Sequence, residues 1–313
     1  MSHFTLIVEL PAGTPPAEYE DKVAELMAPY DEDREVPEYR SYWDRGTPQE
    51  HWSFEYVLES SERLSAVDTV TWSDFVDAYN LHYKGDGGRA VLYDAERDCP
   101  YEMTTYNPDS KWDWWCVGGR WRGYFTMMTK MSSDDAQRLI ISGIDWMNEG
   151  HEVRQHACDG GPIRLLDLVG QRLRVEREAN EYADKYERAI LGTPEAVTWG
   201  EALEMFDNVD EARTFYHEQP RVAATRDLNG FFGNPISDFQ WGREQYVRRA
   251  VLSAVPGYAY LTQDGEWLAP GEMGWFGMSS DTLQSRETYD QLINGRIASV
   301  DPDTVLIIID CHI

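Results

Sequence analysis

The stretch Val305-Leu-Ile-Ile-Ile-Asp-Cys-His-Ile313 decides the fold. Five consecutive apolar, mostly β-branched residues, Val305 to Ile309, predict a strand buried on both faces. A closing strand of this kind belongs inside a sheet and needs partners from earlier in the chain. The opening run Phe4–Leu10, ended by Pro11-Ala-Gly-Thr-Pro-Pro, predicts another strand. The expected fold class is therefore α+β: a mixed sheet joins the N- and C-terminal strands, with a mainly helical insertion in the middle. Two independent domains are the alternative. The expected parts are 1–131, an α+β part carrying a Trp/Arg hairpin; 132–225, the helical insertion; and 226–313, which completes the sheet.

Between these ends the pattern is mostly helical. A helix is predicted over about 17–28, with Val23, Leu26 and Met27 on one face and Pro29 as its stop. Residues 31–50 read as a charged loop, and Phe54–Leu58 as a short strand. Val70-Thr-Trp-Ser-Asp and Val197-Thr-Trp-Gly-Glu each place an acid three residues after a capping Thr, the spacing of a capping box. Ala179, Tyr182, Ala183, Tyr186 and Ile190 follow a 3.6-residue period through a long docked helix over 170–191. Late in the chain, Gly257–Thr262 and Glu266–Leu268 flank Asp264-Gly265, a hairpin turn needing positive φ. A last helix is predicted over 287–298.

Composition limits the function classes. With 42% apolar and 13% aromatic residues a packed core is expected. No apolar run approaches the ~18–20 residues of a membrane span, and the opening carries no basic leader, so the expectation is a cytoplasmic protein without a membrane partner. Acidic residues number 56 against 28 basic ones, a net charge of −28. A field of that sign opposes binding to nucleic acid or anionic lipid. A nucleic-acid mimic would gather its carboxylates on one face; here they are scattered along the chain, which favours a compositional origin. The four cysteines, at 99, 116, 158 and 311, include no CxxC pair, so free thiols and no cofactor are expected.

The informative segment is Asn107-Pro-Asp-Ser-Lys-Trp-Asp-Trp-Trp-Cys-Val-Gly-Gly-Arg-Trp-Arg-Gly-Tyr-Phe125, which holds four of the 12 tryptophans. Gly118-Gly119 between aromatic runs predicts a two-residue hairpin. Pairing across that turn sorts Trp112, Trp114, Cys116, Trp121 and Phe125 onto a core face. The opposite face receives Lys111, Asp113, Trp115, Val117, Arg120, Arg122 and Tyr124. Guanidinium groups grip phosphate or carboxylate bidentately, and a Trp face stacks a base. Lys111, Asp113, Trp115, Arg120, Arg122 and Tyr124 are thus the candidate ligand site. The competing reading is a cation–π ladder whose charges are met by Glu9 or Asp310.

The string Asn107-Pro-Asp-Ser-Lys-Trp-Asp-Trp-Trp-x-Val-Gly-Gly-Arg-Trp121 resembles a signature of an uncharacterised family of tailed-phage proteins and proteins of their bacterial, often actinobacterial, hosts. His3-Phe-Thr-Leu-Ile-Val8, Leu26-Met-Ala-Pro-Tyr-Asp-Glu32 and Ile309-Asp-Cys-His-Ile313 are similar to it too. The resemblance implies an accessory, host-directed or counter-defence role and no established activity.

Three functions follow as expectations. The first is a non-enzymatic binder of an anionic, nucleotide-like small molecule. The second is an acidic interaction protein that binds a basic host protein or mimics DNA. The third is a metal-dependent enzyme on a nucleotide-like substrate, with Asp113 as general base or metal ligand. Asp310 and His312, two apart on one strand, are further metal-ligand candidates. His151, His156 and Cys158 read as a polar loop. Gly85-Asp-Gly-Gly and Gly230-Phe-Phe-Gly read as loops that match no phosphate-binding fingerprint, and Gly274-Trp-Phe-Gly as an exposed loop bordering the hairpin site.

Overall fold

The computed structural model describes residues 2–43, 46–65, 69–83, 90–141, 156–228, 234–274 and 278–313. His151 and the cores of the loops at 85–88, 230–233 and 275–277 lie outside them. Along the chain the strands are β1 (His3–Leu10), β2 (Tyr39–Tyr42), β3 (Leu92–Asp94), β4 (Cys99–Thr104), β5 (Trp114–Val117), β6 (Phe125–Thr126), β7 (Ala157–Cys158), β8 (Gly160–Pro162), β9 (Ala259–Leu261), β10 (Trp267–Leu268) and β11 (Val305–His312). The chain divides into two compact units, Met1–Ala28 with Lys111–Ile313, and Pro29–Ser110. This division differs from breaks at 131 and 225, because β8, inside the expected helical insertion, joins the main sheet.

In the larger unit the fold is α+β as expected, and the first and last strands form the centre of a mixed sheet. Its order is β10-β9-β1-β11-β5, with β8 also on β11. β1 and β11 run antiparallel from His3↔His312 to Leu10↔Val305. β9 lies parallel to β1, and β5 and β8 take separate halves of the outer edge of β11. Val305–Cys311 are wholly buried or nearly so, and each enclosed Ile or Leu contributes about 1.5–3 kcal/mol. The hairpin of β9 and β10 turns at Gly265, φ 84°.

Strand alternation gives this sheet two faces. One carries His3, Thr5, Ile7 and Glu9 beside His312, Asp310, Ile308 and Leu306. Its apolar end packs Ile7, Leu306, Ile308 and Tyr260 against Tyr289, Ile293 and Ile297 of the Leu283–Ser299 helix. Glu9, fully buried there, accepts two hydrogen bonds from Arg296 (2.6 and 2.8 Å) and one from Tyr260 Oη (2.7 Å). The polar end of the same face is left with two histidines.

The helix Leu168–Ala189 buries Ala179, Ala183 and Tyr186 on the predicted period, the last two in a cluster with Phe239. Thr198 closes a complete capping box with Glu201, and Thr71 accepts the amide of Asp74. In the smaller unit, β2–β4–β3 form a three-stranded sheet. Two expectations fail there. The 31–50 stretch contains β2, and Phe54–Ser60 is a helix, because Phe54 and Val57, three apart, share one buried helical face. No helix among the described residues is long and apolar enough to cross a membrane.

Candidate functional site

The Gly118-Gly119 hairpin does not form. β5 pairs with β11 instead, and Gly119–Trp121 winds into a 3-10 turn. Both glycines do take positive φ, 71° and 51°, but their reason is close approach. A β-carbon on Gly118 would lie 2.6 Å from Asp159 Oδ2, and one on Gly119 2.4 Å from Asp310 Oδ2. The turn wraps around two carboxylates: Asp159 accepts the Gly123 amide (2.6 Å) and Asp310 that of Arg120 (2.9 Å).

Pairing with β11 also redistributes the predicted faces. Cys116 opposes Asp310 and Trp114 opposes His312, so these four share the histidine face. Trp115 opposes Cys311 and lies on the other face. Trp114, expected in the core, is 48% exposed, whereas Trp112 and Phe125 are buried as expected. Tyr124, expected on the ligand face, packs against the core and donates to Val255 O (3.1 Å); burial pushes its phenol far above the usual range. Of the candidate ligand residues, Asp113 and the main chain of Arg120 reach the histidine end of the sheet. Trp115 and Tyr124 stand apart from it, and Arg122 is half-buried in the turn.

His3 and His312 face each other across the central strand pair, ring centroids 4.9 Å apart at 70°. His3 Nδ1 bonds Asp310 Oδ1 at 2.8 Å, and His312 Nδ1 bonds Asp113 Oδ1 at 2.6 Å. A carboxylate on Nδ1 holds the proton there and leaves Nε2 as the basic nitrogen. Neither Nε2 has a hydrogen-bond partner among the described residues. Both rings are mostly buried, with 17% and 13% of the side chain exposed. The two carboxylates differ: Asp310 is enclosed and also bound by the Arg120 amide, while Asp113 is exposed and its own amide donates to His312 O (3.0 Å).

Arg120 is exposed, and its guanidinium makes no hydrogen bond or ion pair among the described residues; the same holds for the Lys111 ammonium. Trp114 stands at the edge of the His3 ring, centroids 6.2 Å apart. Asp310 and His312 share a face as expected, yet each engages a different partner. No group of three or more His, Cys, Asp or Glu among the described residues is placed to hold a metal ion. Burial pushes the Cys158 thiol up to about 12 and that of Cys311 well above its usual value, which suits neither to nucleophilic work.

His3 is the candidate residue that reading along the sequence misses. The signal was present: once the first and last strands are paired end to end, the third residue meets the second-last. Comparison with protein-family models, curated proteins and solved structures finds no match to this chain.

Proposed function

We propose that this chain binds an anionic, nucleotide-like ligand at the His3/His312 end of its sheet and cleaves a phosphodiester in it by general acid–base catalysis. The reading rests on one observation: two imidazoles 4.9 Å apart each carry a carboxylate on Nδ1 and leave Nε2 unengaged. In the step this implies, Nε2 of one neutral histidine takes the proton of an attacking hydroxyl. A new P–O bond forms as the bond to the leaving oxygen breaks, and that oxygen receives the Nε2 proton of the other, protonated histidine. The bound carboxylates orient both rings and stabilise the imidazolium. Arg120 offsets charge on the phosphoryl oxygens, and Trp114 offers a face on which a base stacks, worth about 1–3 kcal/mol.

Asp113 thus serves to position His312, not as the general base. In the host-directed setting that the resemblance to phage proteins implies, such a ligand is a nucleotide signal of the host and turnover removes it.

The test is chromatography of dinucleotides, cyclic nucleotides and cyclic dinucleotides after incubation with the purified protein. The expected outcome is a cleaved product from at least one of them, formed far more slowly by both His3→Ala and His312→Ala. Saturable binding without product, abolished by Arg120→Ala, would make the site a receptor instead. Silence of the wild type across the panel would count against both.

A further inference from the structure

The smaller unit holds a second feature that the histidine site does not use. A cavity of 640 Å³ is lined by Tyr42, Trp43, Glu50, His51, Trp52 and Trp72, together with Gly46 and Thr47. That volume falls within the range of small-molecule sites. Its walls are aromatic: Trp43 stacks on His51, centroids 4.4 Å apart at 12°, and meets Trp72 edge-on at 6.0 Å. Trp52 is 70% exposed although it belongs to the most hydrophobic class of side chains.

Hydrogen bonds fix these walls. Trp43 Nε1 donates to Glu102 (3.3 Å) and Trp72 Nε1 to Gly46 O (3.2 Å). Among the described lining residues, Glu50 carries the one formal charge. Its Oε2 accepts from Thr47 N and Oγ1 in a capping box, and its Oε1 makes no hydrogen bond among the described residues. His51 Nδ1 accepts the Ser53 amide (3.3 Å), so the ring is the neutral tautomer, and burial lowers its pKa. The cavity therefore presents electron-rich ring faces and one carboxylate, with no cation among its described lining residues.

We infer that this aromatic cavity binds an organic cation, an ammonium or guanidinium group held over Trp43 and Trp52 with Glu50 as its counter-charge. Ring faces attract cations through their quadrupole, and indole does so best. The same unit already uses this contact internally: Arg97 lies over Tyr42 at 4.4 Å and Arg40 over Tyr101 at 4.8 Å. A sugar would use the same aromatic walls and donate hydroxyls to Glu50, so a glucoside is the control that separates the two.

The full chain is titrated by calorimetry and ligand-observed NMR with choline, with its neutral isostere 3,3-dimethylbutan-1-ol, and with methyl glucoside. Choline is expected to bind saturably, and the isostere at least about tenfold more weakly. Trp52→Ala removes an exposed ring, and Glu50→Gln keeps an acceptor for the capping box, so both variants should keep the wild-type circular dichroism. Each should weaken choline by about tenfold. Equal binding of the isostere, preference for the glucoside, choline binding that survives Trp52→Ala, or no choline binding would each overturn the assignment.

Discussion

Gly119 and Asp310 approach so closely that a β-carbon on the glycine would fall 2.4 Å from the carboxylate oxygen Oδ2. The same carboxylate holds His3 through Oδ1 and the Arg120 amide through Oδ2. A turn, a buried acid and a candidate catalytic imidazole are thus one mechanical unit. Gly119→Ala should therefore cost at least about 2 kcal/mol, from strain at φ 51° and from displacing Asp310. Urea unfolding would measure it, and Gly265→Ala, with open space around its β-carbon, should cost less.

Asp310→Asn keeps the size of the side chain and removes its charge. His3 then loses the partner that fixes its tautomer, and turnover should fall by about 10²- to 10⁴-fold with little change in stability. Steady-state kinetics beside a melting curve separates the two effects. A variant of full activity would remove Asp310 from the account.

Arg296 lies at the opposite end of the same sheet face and binds a carboxylate with no solvent contact. Arg296→Ala leaves Glu9 buried with Tyr260 as its one remaining partner among the described residues and should destabilise the protein by about 3–5 kcal/mol. Replacing both residues, Glu9→Gln with Arg296→Met, should recover most of that loss in the same denaturation assay.

Burial raises the phenols of Tyr124, Tyr260 and Tyr289 above their ordinary value of 10.0. The folded state thus keeps protons that the unfolded chain releases once pH passes about 10. The stability these groups provide is complete below that pH and declines as pH rises toward their folded values. The melting temperature should drop steeply above pH 10, with tyrosinate absorbance appearing as the protein unfolds; Tyr260→Phe should blunt the drop.

Much of this architecture was legible in the sequence because it depends on local pattern. The run at 305–309, the capping threonines at 71 and 198 and the Asp264-Gly265 turn each carry their own instruction. The Phe54–Leu58 segment failed because a short apolar run suits strand and helix alike until its packing partners are known. The 114–121 segment failed for a different reason. Its first aromatic run is a strand as expected, but the Gly-Gly hairpin is not there, because the pairing partner is the far end of the chain. That substitution puts Trp114 where Trp115 was expected and makes Gly119 a neighbour of Asp310. The histidine pair depends on the same long-range pairing, so no local motif announced it.

The central claim is that His3 and His312 divide acid and base between them, and the pH dependence of kcat/KM tests it most directly. On a substrate from the nucleotide panel, the wild type should give a bell-shaped profile with one acid and one alkaline limb. Replacing one histidine by Gln should erase the acid limb from the residual rate, and replacing the other should erase the alkaline limb. A wild-type profile without both limbs, or both limbs persisting in either variant, would contradict the account.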